Sequence, residues 1–305
     1  MQTPPFLCPG DTVGLVATAR KVVAEEIQFA IETLKSWGLK AVLAPNLFQS
    51  YHQFADTDIE RAKALQTFLD DRKNVKAILA VRGGYGTVRM VDHLNFERFK
   101  DYPKWFIGYS DVTVLHAHIH ENIGIETIHG MMALDFPPMT HGTSCGVESL
   151  HSALFGKPLD YDFAPSVLNR VGCCEGKIIG GNLSVLYSIS NSVSDIHTDG
   201  KILFIEDLDE YLYHIDRMMM QLKRSGKLAK LKGLLVGAFT KMHDNTVPFG
   251  STAEEIIRQA VEEYDFPVAF HFPSGHLGAE NLAMRLGAEI RLNVTESGCT
   301  YQSLS

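Results

Sequence analysis

The chain has 305 residues, more than one hydrophobic core usually organises, so about two domains are expected. Its 28 basic and 36 acidic side chains give a formal charge of −8, and no dense Lys/Arg stripe could neutralise a phosphate backbone, which argues against nucleic acid as a partner. The amino terminus has no positively charged n-region, Pro4, Pro5 and Pro9 break its apolar stretch, and no apolar run is long enough to span a bilayer; neither a secretory signal nor membrane association is expected.

Strand and helix signals alternate through the first half, as they do where a parallel sheet is covered on both faces. Residues 12–18 (TVGLVAT) read as a buried strand. Ile27, Ala30, Ile31 and Leu34 recur at helical spacing, Gly38 closes that helix, and 39–44 form the next strand. Thr57 and Glu60 make a capping box that opens a helix carrying Ala62, Leu65, Phe68 and Leu69. Residues 77–81, 105–109 and 126–129 are the third, fourth and fifth strands, with a helix expected from about Thr87. Between 136 and 176, Pro137, Pro138, Pro158 and Pro165 surround one helix-like stretch at 146–155, and a domain boundary is expected there. Strands restart at 177–179, 201–205 and 234–238, interleaved with helices over 211–225 and 252–263, and finish at 282–286 and 289–293. The expected organisation is a first domain over 1–150, a linker over 151–172 and a second domain over 173–305.

Residues 105–115 (WFIGYSDVTVL) run from an apolar strand through Gly-Tyr-Ser-Asp straight into a helical pattern. Ser110 therefore sits at a sharp strand-to-helix turn, where a hydroxyl is held off the sheet edge and helix-opening N–H groups face any oxyanion formed beside it. The same residue would also serve as an ordinary helix N-cap. Arg82-Gly83-Gly84-Tyr85-Gly86 follows the third strand. Glycines there leave N–H groups free for a phosphate or an oxyanion, or simply build a tight turn, and the segment lacks the spacing of a P-loop or a dinucleotide fingerprint. Both features lie at carboxyl ends of strands, where ligands of such sheets collect.

A serine nucleophile needs a base and the base needs an acceptor. Of 13 histidines, His276 is distinguished by its Gly-flanked loop, Pro273-Ser274-Gly275-His276-Leu277-Gly278, though a surface histidine would look the same. In Glu206-Asp207-Leu208-Asp209-Glu210, the last two acids complement the following helix dipole, whereas Glu206 ends an apolar strand and either faces a site or turns to solvent. His116, His118 and His120 lie on the helix after Ser110, where only His116 and His120 share a face, and no acidic ligand completes a set; no metal and no cofactor are expected. The five cysteines include no Cys-x-x-Cys pair and read as free thiols of a reducing cytoplasm.

The order Ser110, Glu206, His276, with RGGYG upstream, GYSD at the turn, GGNLS at 180–184 and an LFIEDLDE strand end, resembles the LD-carboxypeptidase family: muramoyltetrapeptide carboxypeptidases and related microcin-immunity hydrolases. The resemblance spans about residues 11–293. It implies an α/β fold, with a flavodoxin-like parallel-sheet N-terminal domain and a smaller swivelling β/α C-terminal domain. It implies Ser110 as nucleophile, His276 as general base and Glu206 as the carboxylate orienting it, with an oxyanion hole from the N–H groups of Asp111 and of Gly83 or Gly84. An α/β-hydrolase shares this order but requires glycine where Val112 stands. Departures from the family pattern are His129-Gly130-Met131 and Asn191-Ser192-Val193. The implied activity is a cytoplasmic serine peptidase removing the terminal D-alanine of a murein tetrapeptide in cell-wall recycling. A peptidyl- or aminoacyl-adenylate substrate, a non-catalytic two-domain binding protein and a metalloenzyme on the histidine helix are the competing readings. A leaving group ending in carboxylate wants a cation, for which Arg82 or Arg89 are candidates, with Tyr85 beside them. Oligomeric state is left open, a homodimer included.

Overall fold

The computed structural model describes residues 1–304. Its elements in chain order begin with β1 (Thr12–Val16), α1 (Gln28–Ser36), β2 (Lys40–Leu43), α2 (Asp58–Asp70), β3 (Val75–Ala80), α3 (Glu97–Asp101), β4 (Trp105–Gly108), α4 (Thr113–Asn122), β5 (Thr127–His129) and α5 (Cys145–Leu154). There follow β6 (Asp160–Phe163), β7 (Gly172–Asn182), α6 (Leu183–Ser188), β8 (Ile202–Leu208), α7 (Leu212–Arg224), β9 (Gly233–Thr240), α8 (Ala253–Ala260), β10 (Val268–Ala269), β11 (Met284–Leu286), β12 (Glu289–Val294) and β13 (Cys299–Ser303). Among the described residues no helix is long and apolar enough to cross a membrane.

Two sheets organise the molecule. In the first, β2-β1-β3-β4-β5 are parallel, the flavodoxin-like order that reverses direction between β1 and β3, and β11 adds an antiparallel edge beside β5. Its inner strands β3 and β4 read VKAILA and WFIG because helices cover both faces, leaving no room for alternation. α2 starts where the Thr57 hydroxyl accepts from the Glu60 N–H at 3.3 Å. The second sheet runs β10-β9-β8-β7-β12-β13-β6, parallel from β7 to β10 and antiparallel from β7 through β6.

The sheets do not divide where the sequence boundaries were drawn. β6 lies inside the expected linker and edges the second sheet, while β11, deep in the second half, completes the first. The helix expected from Thr87 is instead two single 3₁₀ turns, Thr87–Arg89 and Val91–His93, a segment whose β-branched Thr87, Val88 and Val91 resist a continuous α-helix.

Candidate active site

The strand β4 ends at Gly108, and the chain reverses through Tyr109 into a 3₁₀ turn, Ser110–Val112, that runs into α4. Ser110 has φ 61°, a left-handed conformation that a residue with a side chain adopts only under constraint. Its hydroxyl caps nothing. Oγ lies 3.1 Å from Nε2 of His276, whose Nδ1 donates to Oε2 of Glu206 at 2.7 Å.

Each partner is delivered by a specific backbone irregularity. Glu206 is paired with Asn182 across β7 and β8, and beside it the β8–β9 ladder slips, Ile205 facing Val236 but Asp207 facing Phe239. Two residues of β9, Gly237 and Ala238, stand against the single Glu206, a bulge of one extra residue that re-aims the strand. Into it sits the loop of His276: Ala238 N–H donates to the Ser274 carbonyl at 2.9 Å, and a Cβ on Gly237 would come within 2.5 Å of that oxygen. Gly275, at φ 120°, lets the histidine lie against the acid, since a Cβ there would meet Oε2 of Glu206 at 2.9 Å. Asn281 Oδ1 then accepts from the Gly275 N–H and the Ser274 hydroxyl, each at 2.9 Å.

Electrostatics favour a relay. Glu206 is fully buried, so it does not turn to solvent. Burial alone lowers the pKa of His276, but the hydrogen bond and charge of Glu206, aided by Asp207 and Asp135, outweigh it and the net shift is upward. Next to Glu206, burial and then the Glu206 charge push the Asp207 carboxyl up to about 7. Asp207 accepts from Asn182 Nδ2 at 3.0 Å and from the Ser184 N–H at 2.9 Å. Tyr109 packs its ring edge-on against the His276 ring, centroids 5.0 Å apart, and its hydroxyl donates to Asp135 at 3.3 Å.

The glycine turn after β3 abuts the serine. A Cβ on Gly83 would lie 3.4 Å from Ser110 Oγ, and among the described residues neither the Gly83 nor the Gly84 N–H makes a hydrogen bond. The Asp111 side chain, buried, accepts from the Thr87 N–H at 2.9 Å and so ties this turn to the serine turn. Fully buried Arg61 ties it to α2: it donates to the Gly86 carbonyl at 3.0 Å, to the Thr18 carbonyl and to Asp58. Asn281, Tyr109, Asp135 and Arg61 were not anticipated, and nothing local in the sequence marks them. Of the other candidates, Arg82 pairs with Glu26 at 3.3 Å, Arg89 with Asp58 at 2.8 Å, and Tyr85 is about half exposed at the rim near Phe54.

The histidine helix has other uses. His116 Nε2 is 2.9 Å from the Gly108 carbonyl and His120 Nε2 is 2.9 Å from Thr127 Oγ1. Burial lowers the pKa of His116 to about 4 and that of His120 well below the ordinary value. Among the described residues no group of three or more His, Cys, Asp or Glu side chains is placed to hold a metal.

Residues 13–130 match the LD-carboxypeptidase N-terminal domain and residues 175–292 the LD-carboxypeptidase C-terminal domain. The chain belongs to the LD-carboxypeptidase family. A probable murein peptide carboxypeptidase of Bacillus subtilis (strain 168) is 36% identical, covering 98% of this chain and 94% of the relative. The crystal structure of muramoyltetrapeptide carboxypeptidase from Oxalobacter formigenes superposes with a TM-score of 0.86 at 25% identity, covering 96% of this chain and 98% of that one. MccF in complex with glutamyl sulfamoyl guanosine shares the fold, with a TM-score of 0.85 at 21% identity over 98% of each chain. Family membership thus divides the relay: Ser110 falls in the N-terminal match, Glu206 and His276 in the C-terminal one.

Proposed function

We propose that this family member releases the terminal D-alanine from a murein tetrapeptide, cutting after an L-configured centre, with Ser110 as nucleophile, His276 as general base and Glu206 as the orienting carboxylate. The continuous contact from Ser110 Oγ through His276 to Glu206 carries the reading. Ser110 attacks the scissile carbonyl as His276 takes its proton. The N–H groups of Asp111 and of Gly83 or Gly84 receive the oxyanion, and removing one such donor costs about 3 kcal/mol of barrier. His276 then protonates the departing amine of D-alanine, and water, deprotonated by the same ring, releases the acyl-enzyme.

The names of the relatives support a muropeptide substrate, and the five free thiols accord with a cytoplasmic place in cell-wall recycling. Mass spectrometry of a murein tetrapeptide before and after incubation tests the proposal: loss of one alanine is expected, and Ser110→Ala abolishes it. Full turnover by Ser110→Ala overturns the assignment. Parallel incubation with a peptidyl-adenylate separates the two substrate classes.

A further inference from the structure

Carboxypeptidase action requires the enzyme to sense that the leaving residue ends in a free carboxylate. The two arginines nearest in sequence to the glycine turn are already engaged, Arg82 by Glu26 and Arg89 by Asp58, and Arg61 is buried among its own partners. Arg20 is different. It is exposed, and among the described residues its guanidinium makes no ion pair and no hydrogen bond.

Its position follows from the topology. Arg20 lies on the loop leaving β1, and Gly83-Gly84 on the loop leaving β3; these two strands flank the point where the sheet order reverses, the crevice in which such sheets bind ligands. The loops are joined: the Arg20 N–H donates to the Gly83 carbonyl at 3.4 Å, and the segment before α2 holds the β1 loop from its other neighbour, Ala55 N–H donating to the Ala19 carbonyl at 3.0 Å. The Arg20 side chain lies flat on Gly84, where a Cβ would approach its Cδ to 2.7 Å and its Nε to 2.8 Å. Gly83, one peptide unit away, is the residue against which the Ser110 hydroxyl rests. Of two adjacent glycines, one therefore lies against the nucleophile and the next against the Arg20 side chain. Lys21 follows in an extended bridge segment, where successive side chains take opposite directions.

We propose that Arg20 binds the C-terminal carboxylate of the leaving residue and so sets carboxypeptidase specificity. This deepens the murein-peptidase reading and rests on it. A planar guanidinium beside the oxyanion turn pairs bidentately with a carboxylate, which a primary amide cannot match.

The test compares a tetrapeptide with a free C-terminus and its C-terminal amide, by kcat/KM, for the unsubstituted protein, Arg20→Ala, Arg20→Lys and Lys21→Ala. Arg20→Ala is expected to lower the acid-over-amide preference about ten- to a hundredfold, the range for a hydrogen bond to a charged group, with Arg20→Lys intermediate and Lys21→Ala unaltered. Calorimetric binding of the same two peptides in a Ser110→Ala background reads the preference without turnover. An acid preference that survives Arg20→Ala, or equal losses on both peptides, overturns the proposal. If the unsubstituted protein cuts neither peptide, the murein-peptidase reading fails, and binding decides for Arg20: a preference abolished by Arg20→Ala upholds a carboxylate site, and no preference overturns it.

Discussion

Ser110 holds a backbone conformation, φ 61°, that costs about 1–3 kcal/mol for a residue with a side chain, and the surrounding contacts over-determine it. The same contacts tune His276. Because its pKa is raised on balance by Glu206, the acid limb of the kcat/KM profile should lie above the ordinary histidine value of about 6.5, activity falling as pH drops and the base is protonated. Titrating the ring by NMR checks this, and Glu206→Gln should move the midpoint down. The linked stability has the opposite sense: it is full at low pH and lost as pH rises through the folded-state value. Single alanine substitutions at Ser110, His276 and Glu206 should each lower kcat by several orders of magnitude without adding in combination, as steady-state assays of single and double variants would reveal. These three residues were legible because each stood in an unusual local context: a serine at a strand-to-helix turn, an acid closing an apolar strand, a histidine between glycines. Asn281 and Asp111 were opaque as supports, since their partners lie in backbone that only the folded loop brings near.

At the scale of elements, the site depends on one defect in an otherwise regular ladder. The bulge in β9 receives the His276 loop, and Asn281 pins that loop from the far side. Asn281→Ala leaves the buried Gly275 N–H without its acceptor, while the Ser274 hydroxyl keeps the Leu282 carbonyl at 2.9 Å, and should destabilise the fold by about 1–3 kcal/mol in denaturant titrations, while lowering kcat more than it raises KM. Gly275→Ala places a methyl group against Glu206 in a strained backbone and should lower both stability and turnover. The long apolar strands β1, β3, β4, β8 and β9 announce themselves through composition. β10 has two residues, β6 (DYDF) and β13 (CTYQS) alternate polarity only over a handful of residues, and the first half of β7 is GCCEG, so none is long enough or apolar enough to stand out.

For the molecule as a whole, the histidine loop lies between the two sheets. Phe272 donates to β9 in the second sheet, and within a dozen residues Met284 has entered the first, opposite His129 of β5. Met284→Pro would remove this edge pairing, at a cost of about 3 kcal/mol or more, and should lower Tm and activity together, because the loop loses one of its two anchors. Thermal melts and assays on one preparation measure both. A parallel sheet covered on both faces followed from alternating strands and helices, and its flavodoxin-like form from the family resemblance; the crossing of β11 did not follow, because a three-residue Met-Arg-Leu segment matches many sheet edges equally well.

That crossing reaches back to synthesis. The edge of β5 emerges from the ribosome more than 150 residues before the strand that covers it. Until Met284–Leu286 arrive, the nascent amino-terminal half carries an open parallel edge, a surface on which unfinished chains pair with one another. Completion of the first sheet and the meeting of Ser110 with His276 therefore both wait until residues 276–286 have been made.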